Sequence, residues 1–348
     1  MPALFPKSAM QVRPRIAVEV RPEGVYAASA TDSAGLIATV SSMALAAGAV
    51  VPSLRVGNIV DRIAVIAALR KALTAVQPGK SRDVTLILPD TTVRVLLLDF
   101  DELPSKAEDV LPVLRFRLAK LLPFPPELAQ ISYQVMSRHA LVLQVLVVAI
   151  PNEVLAEYES AVREAGFEPG AVLPSTLAVA AAVDEVGQAA ALLVNGSEYT
   201  VTTAIVRRGE LLLHRTLELK PDAMSEAAAA IALEPASVAA ASAAGNATDV
   251  AVAEMLQRGV LADAGAAAPS AEQELLQAIS VAAAYYEDSL AVPPDEVLTA
   301  GTLAPAALET MLESYGLRTR DVVQTADLLV PTAIPRGLLA GVRGALRA

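Results

Sequence analysis

Residues 84–134 read VTLILPDTTVRVLLLDFDELPSKAEDVLPVLRFRLAKLLPFPPELAQISYQ. The apolar run at 84–88 predicts a buried strand, the polar residues after Pro89 a turn, and 93–98 a second strand. An acidic loop then leads to Ser105-Lys106-Ala107-Glu108, whose spacing predicts a capping box at a helix start. Leu114, Leu118 and Leu121 fall on one helical stripe, with Arg115, Arg117 and Lys120 on the rest. Pro112 removes a backbone donor, so this helix kinks or begins later. It stops at Pro123-Phe124-Pro125-Pro126. Residues 131–136 and 141–150 read as a hairpin around 137–140, and 152–165 as a helix closed by Gly166.

The flanks supply the frame. Strands are predicted at 15–20, at 25–30 across the Pro22-Glu23-Gly24 turn, and at 37–45. A helix at 58–76 carries Ile59, Ile63, Ile66, Leu69 and Leu73 at helical spacing. With the strand at 83–88 the order is β-β-β-α-β. After the inserted block, 169–183 passes through a turn into an Ala-rich helix. Strands at 189–195, 201–207 and 210–219, with Gly196 and Gly209 between them, repeat the opening pattern, a sign of duplication. Ala-rich helix is expected over 223–274, broken at Gly245-Asn246 and by a low-complexity loop at 263–271. A helix at 275–290, a strand at 296–300 and helices at 305–315 and 337–347 complete the chain.

Composition narrows the chemistry. Hydrophobic residues make up 54% of 348, yet aromatics are 3% with no Trp, so Ala, Val and Leu build the core and large ligand anchors are few. The absence of Cys excludes disulfides, thiol catalysis and cysteine-ligated metal. His139 and His214 are the only histidines; no metal site or triad is predicted, and each reads as a strand residue on a half-exposed face. A net charge of −11 without a basic run argues against nucleic-acid binding. Met1–Arg15 lacks an apolar core of signal-peptide length. Residues 34–54 carry no charge over a span that could cross a bilayer. Thr39, Ser41, Ser42, Pro52, Gly35 and Gly48 punctuate them, so two adjacent buried strands are the better reading.

The duplicated halves, the insertion and the Leu-Pro-Phe-Pro helix exit together resemble the PilM family of type IV pilus assembly proteins, within the actin/Hsp70-like group that includes FtsA. Residues 48–61 (GAVVPSLRVGNIVD), 120–127 (KLLPFPPE), 166–175 and 341–347 (GVRGALR) are similar as they stand. The resemblance implies an α/β fold of duplicated actin/Hsp70-like (RNase H-like) domains with an inserted α+β small subdomain. Its divisions would be a flexible 1–14, a first subdomain of 15–88 with 166–187, the insertion at 89–165, and a second domain of 188–348 with a helical insertion near 220–275.

In such proteins two glycine turns cradle nucleotide phosphates, because backbone amides approach closely only where no side chain intervenes. Here Glu19 takes the place of the first turn's Asp, Arg21 that of a Gly and Tyr26 that of a Lys, while Pro22 removes a donor. The second turn keeps Gly196 and Thr200, with Asn195 before the Gly, but Val194 replaces the Asp. The adenosine loop reads Ala300-Gly301-Thr302. Gly24, Gly196 and Gly301 line a nucleotide cleft or simply permit tight turns; the missing carboxylates favour turns. Glu19 reads as a solvated or cleft-edge residue, and Asn195 as a turn-stabilising side chain.

The resemblance therefore implies no required cofactor, with ATP and magnesium doubtful, and a scaffold instead of an enzyme. It implies a cytoplasmic protein held at the inner membrane through a PilN-like partner, whose short N-terminal segment it binds, and contact with the pilus assembly ATPases. Arg94, Arg115, Leu122 and Phe124 are the candidate partner residues. Phe124 either walls a peptide groove or plugs a core; the basic helix meets an acidic partner or is a solvated face. Arg336, Arg343 and Arg347 touch lipid or belong to a closing helix packed on the first domain. The alternatives are an ATP-binding PilM with a working cleft, the cytoplasmic domain of the secretion protein GspL, and a sugar kinase, which Val194 disfavours.

Overall fold

A computed structural model describes residues 14–32, 34–139, 142–183, 190–219 and 270–347. The expectations for 1–13 and for the helical insertion over 220–269 lie outside these residues.

The chain opens with β1 (Ile16–Arg21), β2 (Gly24–Ala30) and β3 (Ile37–Ala44), then α1 (Arg62–Val76) and β4 (Asp83–Leu88). Both faces of β1 and β2 are covered, which is why their residues are apolar almost without alternation. Helix α1 starts where Asp61 caps it, its Oδ1 accepting from Ala64 N at 2.9 Å. Next comes the small subdomain: β5 (Arg94–Phe100), α2 (Ala107–Leu118), β6 (Ala129–His139) and β7 (Val142–Pro151), followed by α3 (Asn152–Glu164). Its sheet, β5-β7-β6, packs Leu96, Val145 and Val147 against Leu114 and Leu118 of α2. The chain then returns through β8 (Glu168–Pro174) and α4 (Ser175–Ala182).

The second half runs β9 (Ala191–Gly196), β10 (Thr200–Arg207), β11 (Glu210–Glu218), α5 (Ala271–Leu290), β12 (Glu296–Gly301), α6 (Pro305–Leu312), β13 (Arg318–Asp321) and α7 (Ala340–Leu346). Its sheet order, β11-β10-β9-β12-β13, repeats the first sheet's β3-β2-β1-β4-β8 position for position. In both, the first three strands are antiparallel and the last two parallel. The duplication read from the sequence is thus a duplication of structure.

Helices α4 and α7, which follow the fifth strand of each copy, pack on one another between the sheets. All seven residues of α7 are buried. A Cβ on Gly344 would lie 1.7 Å from the Ala178 carbonyl oxygen, so only glycine permits this approach. The main core runs without a break from Val18 and Leu86, through Ala178, Val342 and Ala345, to Leu193 and Leu298 of the second sheet.

Several local expectations are corrected. The segment 169–183 is not a turn into a helix: β8 precedes α4 and pairs with β4, its Pro and Gly tolerated because β8 is an edge strand. The short charged strand β13 was not foreseen. No capping box forms at Ser105; α2 begins after Lys106, without a side-chain cap, and keeps Pro112 inside. The uncharged stretch 34–54 forms one half-exposed strand, β3, and then a bridge between Val50 and Ile59. No helix among the described residues is long and apolar enough to cross a membrane. The closing arginines are engaged by the protein: buried Arg343 lies 2.9 Å from Asp327, Arg347 donates to the carbonyls of Ala182 and Val183, and the more exposed Arg336 lies 3.3 Å from Asp321.

Candidate functional site

The β1–β2 turn and the β9–β10 turn, equivalent positions in the two copies, meet across a crevice. Glu19 and Arg21 are two apart on β1 and so share one face. The Arg21 guanidinium, its side chain 5% exposed, donates from Nη1 to Glu19 Oε1 at 2.8 Å. Its Nη2 crosses to the carbonyl of Gly196 on the opposite turn. Its Nε stands 3.5 Å from Glu23 Oε2. The other oxygen of Glu23 accepts from Ser197 Oγ and from Glu198 N, each at 2.6 Å. A carboxylate from one turn therefore sits on the donors of the other.

Behind this pair a polar chain continues inward. Ser175, the first residue of α4, donates from Oγ to Glu19 Oε1 at 2.6 Å. Asn195 Nδ2 donates to Ser175 Oγ and Thr176 Oγ1, both at 2.9 Å. Thr176 in turn donates to Asp90 from its hydroxyl (2.5 Å) and its backbone N (3.0 Å). Asp90 Oδ1 lies 3.9 Å from His214 Nε2 on β11. One network thus joins both turns, α4, the entry to the small subdomain and β11.

Burying charge at this depth costs several kcal/mol per ion unless partners offset it. Burial raises the carboxyl of Glu19 above the usual range, against the opposing pull of Arg21 and Ser175. For Arg21 burial works against the charge, but Glu19, Glu23 and Asp90 outweigh it, and the guanidinium stays a cation. Burial lowers His214 against Asp90, which keeps the imidazole neutral. Five atoms here, Glu19 Oε2, Arg21 Nε, Glu23 Oε2, Asn195 Oδ1 and His214 Nε2, have no hydrogen-bond partner.

The glycines serve this packing. Gly301 has φ +73°, and a Cβ there would fall 1.8 Å from the Gly196 carbonyl oxygen and 2.5 Å from Arg21 Nη2. A Cβ on Gly196 would strike Leu303, and one on Gly341 of α7 would lie 2.3 Å from Glu19 Oε2. Glu19, Asn195, Gly196 and Gly301 are therefore brought together, as the sequence suggested. Gly24 stands apart, against the Met43 carbonyl, and Thr200 contributes its carbonyl, which accepts from Ser197 N.

Glu19 is wholly buried and ion-paired, not solvated; the half-exposed reading of His214 also fails, since its side chain is 5% exposed. Asn195 bonds to α4, not to its own turn. Arg21 was visible only as a departure from a glycine, and Glu23, Ser175, Thr176 and Asp90 were missed. A Ser-Thr pair between Pro174 and an Ala-rich helix was the available signal for two of them. Among the described residues no group of three or more His, Asp or Glu stands ready to hold a metal ion.

The four partner candidates all lie in the small subdomain, away from this crevice. Leu122 is part of its core and Phe124 packs half-buried against the same core. Arg94 on β5 is partly buried, which lowers its affinity for the proton against the pull of Glu218. Arg115 on α2 is half-buried with an unpartnered Nε. The sequence reading passed over Phe116 of α2, which is 78% exposed, and Val113, Leu128, Val135 and Val142 are exposed on the same subdomain.

The sequence matches no protein-family model and no curated protein. The structure, however, superposes over nearly its full length on a solved PilM–PilN type IV pilus biogenesis complex. The TM-score is 0.64 at 15% identity, covering 96% of this chain and 98% of that one. This is the actin-like fold. Looser overlaps are found with the ethanolamine utilization protein EutJ of Carboxydothermus hydrogenoformans (TM-score 0.46, 11% identity, 96% and 89% covered) and with the cytoplasmic domain of EpsL, an inner-membrane component of the type II secretion system of Vibrio cholerae (0.39, 11%, 58% and 70%). The resemblance to PilM read from the sequence holds for the actin-like fold, insertion included.

Proposed function

We propose that this chain is a scaffold of a type IV pilus inner-membrane assembly platform. It binds the short N-terminal cytoplasmic segment of a PilN-like membrane protein, and it does so without hydrolysing ATP. The observation that carries this reading is the filling of the crevice between the two strand turns. In an actin-like nucleotide cleft those turns cradle phosphates; here the Arg21 guanidinium and the Glu23 carboxylate lie between them. A triphosphate brought to the same donors would meet the Glu23 carboxylate, and like charges in contact repel. Magnesium would find Glu19 already engaged by Arg21 and Ser175. The residues present do not fit a magnesium nucleotide, so no hydrolytic step is assigned.

Recognition then falls to the small subdomain. Phe116, its most exposed apolar side chain, stands on α2 next in sequence to Arg117, with Lys120 just past the helix end, a surface suited to a peptide with apolar anchors and acidic neighbours. The chain is held at the membrane through that peptide and meets the assembly ATPases as part of the platform. The direct test is calorimetric titration with a peptide of the first dozen or so residues of a PilN-like protein, about what one groove holds as an extended strand. Micromolar binding is expected, with no heat from magnesium-ATP. Absence of peptide binding, or tight magnesium-dependent ATP binding, refutes it.

A further inference from the structure

Two of the contacts between the halves differ in character. At the base, α4 and α7 pack through the close approach of Gly344 to Ala178, inside one continuous core. At the mouth, the contacts between the β1–β2 and β9–β10 turns come from two side chains. Arg21 reaches the Gly196 carbonyl, and Glu23 takes the hydroxyl of Ser197 and the amide of Glu198, across some 175 positions of sequence. The base is apolar and permanent, whereas the mouth is held by charge-assisted hydrogen bonds, directional and short.

We infer that Arg21 and Glu23 form a built-in latch: a tethered cation–anion pair that bridges the two strand turns and holds the halves in one closed arrangement without any ligand. A carboxylate resting on a turn's hydroxyl and amide is the arrangement by which a turn holds a bound anion; here the anion is covalently part of the other half. Because it is tethered, the latch loses no translational freedom on closing, and closure does not depend on ligand concentration. The glycines fix its geometry: any side chain at Gly301 would collide with Arg21 Nη2. The latch does not rest on the identity of the partner, and it holds whether or not a PilN-like peptide binds.

The chain has no Cys, so Ala47→Cys and Asp288→Cys, exposed positions one in each half, place two spin labels without background. The distance distribution between them reads the opening of the crevice. The parent is expected to give one narrow distance, unchanged by magnesium-ATP. Glu23→Ala and Arg21→Ala are expected to broaden and lengthen it. Should Arg21→Ala fail to fold, the neutral pair Glu19→Gln with Arg21→Met, combined with Glu23→Ala, removes the latch without stranding a buried charge, and its distribution should broaden likewise. The latch is overturned if the Glu23 variant and this combined variant both keep the parent's narrow distance, or if magnesium-ATP shortens the distance in the parent. A response to magnesium-ATP would count against both readings, whereas the variants overturn the latch alone and peptide titration tests the partner alone, so the two failures are told apart.

Discussion

Replacing Arg21 with alanine isolates the energetics of the crevice. The substitution removes the 2.8 Å ion pair to Glu19, a carboxylate with no exposure, and leaves it with the Ser175 hydroxyl alone. Breaking a buried pair by deleting one partner costs about 3–5 kcal/mol, against about 0–1 kcal/mol for an exposed pair. The neutral pair Glu19→Gln with Arg21→Met keeps the volume and leaves no charge at position 19, and only the partly exposed Glu23 loses its 3.5 Å contact; it should lose no more than about 1–2 kcal/mol. Urea unfolding followed by circular dichroism, comparing each variant with the parent at the first transition, measures both. The pH dependence adds a sign. Burial already raises the Glu19 carboxyl above its ordinary 4.5, and without Arg21 it rises further. A carboxyl raised in the folded state contributes stability that is present below the unfolded value and is lost as pH rises through the folded one. The deficit of Arg21→Ala should therefore be smallest near pH 4 and grow toward neutrality. A loss under about 1 kcal/mol, a neutral pair as damaged as the single variant, or a deficit flat in pH would refute the reasoning.

Other sites give independent checks. Gly344→Ala drives a Cβ into the Ala178 carbonyl at 1.7 Å; a loss of about 2–3 kcal/mol or more, or failure to accumulate soluble protein, is expected from thermal melts. Glu157 accepts from the backbone amides of Gly57, Asn58 and Ile59 at 3.0, 3.1 and 2.8 Å. Glu157→Gln turns an amide NH2 toward backbone donors, and should cost about 1–2 kcal/mol and speed hydrogen exchange at Ile59. Phe116→Ser, at an exposed position, should leave stability within about 0.5 kcal/mol but weaken binding of the PilN-like peptide about tenfold. Unchanged affinity would remove α2 from the docking surface.

The fold was legible because its signals were local and repeated. Two runs of three strands with glycines between them, and an inserted block ending in Pro123-Phe124-Pro125-Pro126, suffice to place the sheets. The strands β8 and β13 were not legible: one carries Pro169, Gly170 and Pro174, the other is Arg-Thr-Arg-Asp, and both are edge strands whose pairing is decided by neighbours distant in sequence. The site was half legible. Arg21 and Val194 announced a changed cleft, but Glu19 looked solvated because burial of a charge depends on Ser175 and Arg21, residues that periodicity treats separately. Asp90 and His214 are joined only by the fold, and nothing in either neighbourhood names the other. Leu122, named as a candidate partner residue, packs in the small-subdomain core just past the helix end.

The dependence of both sheets on α7 also has a meaning in time. Synthesis proceeds from the N-terminus at roughly 5–20 residues per second, and domains ordinarily fold as they emerge. The strands β1, β2 and β4 appear early, yet α7, which covers them and seats Gly341 against Glu19, lies about 250 residues further along the chain. For some tens of seconds, at the synthesis rates just given, the nascent first sheet therefore carries an uncovered apolar face and a carboxylate without its neighbour. Such a chain is a natural client for a chaperone at the ribosome exit, and it reaches its native state only when α7 slots between halves that have waited for it.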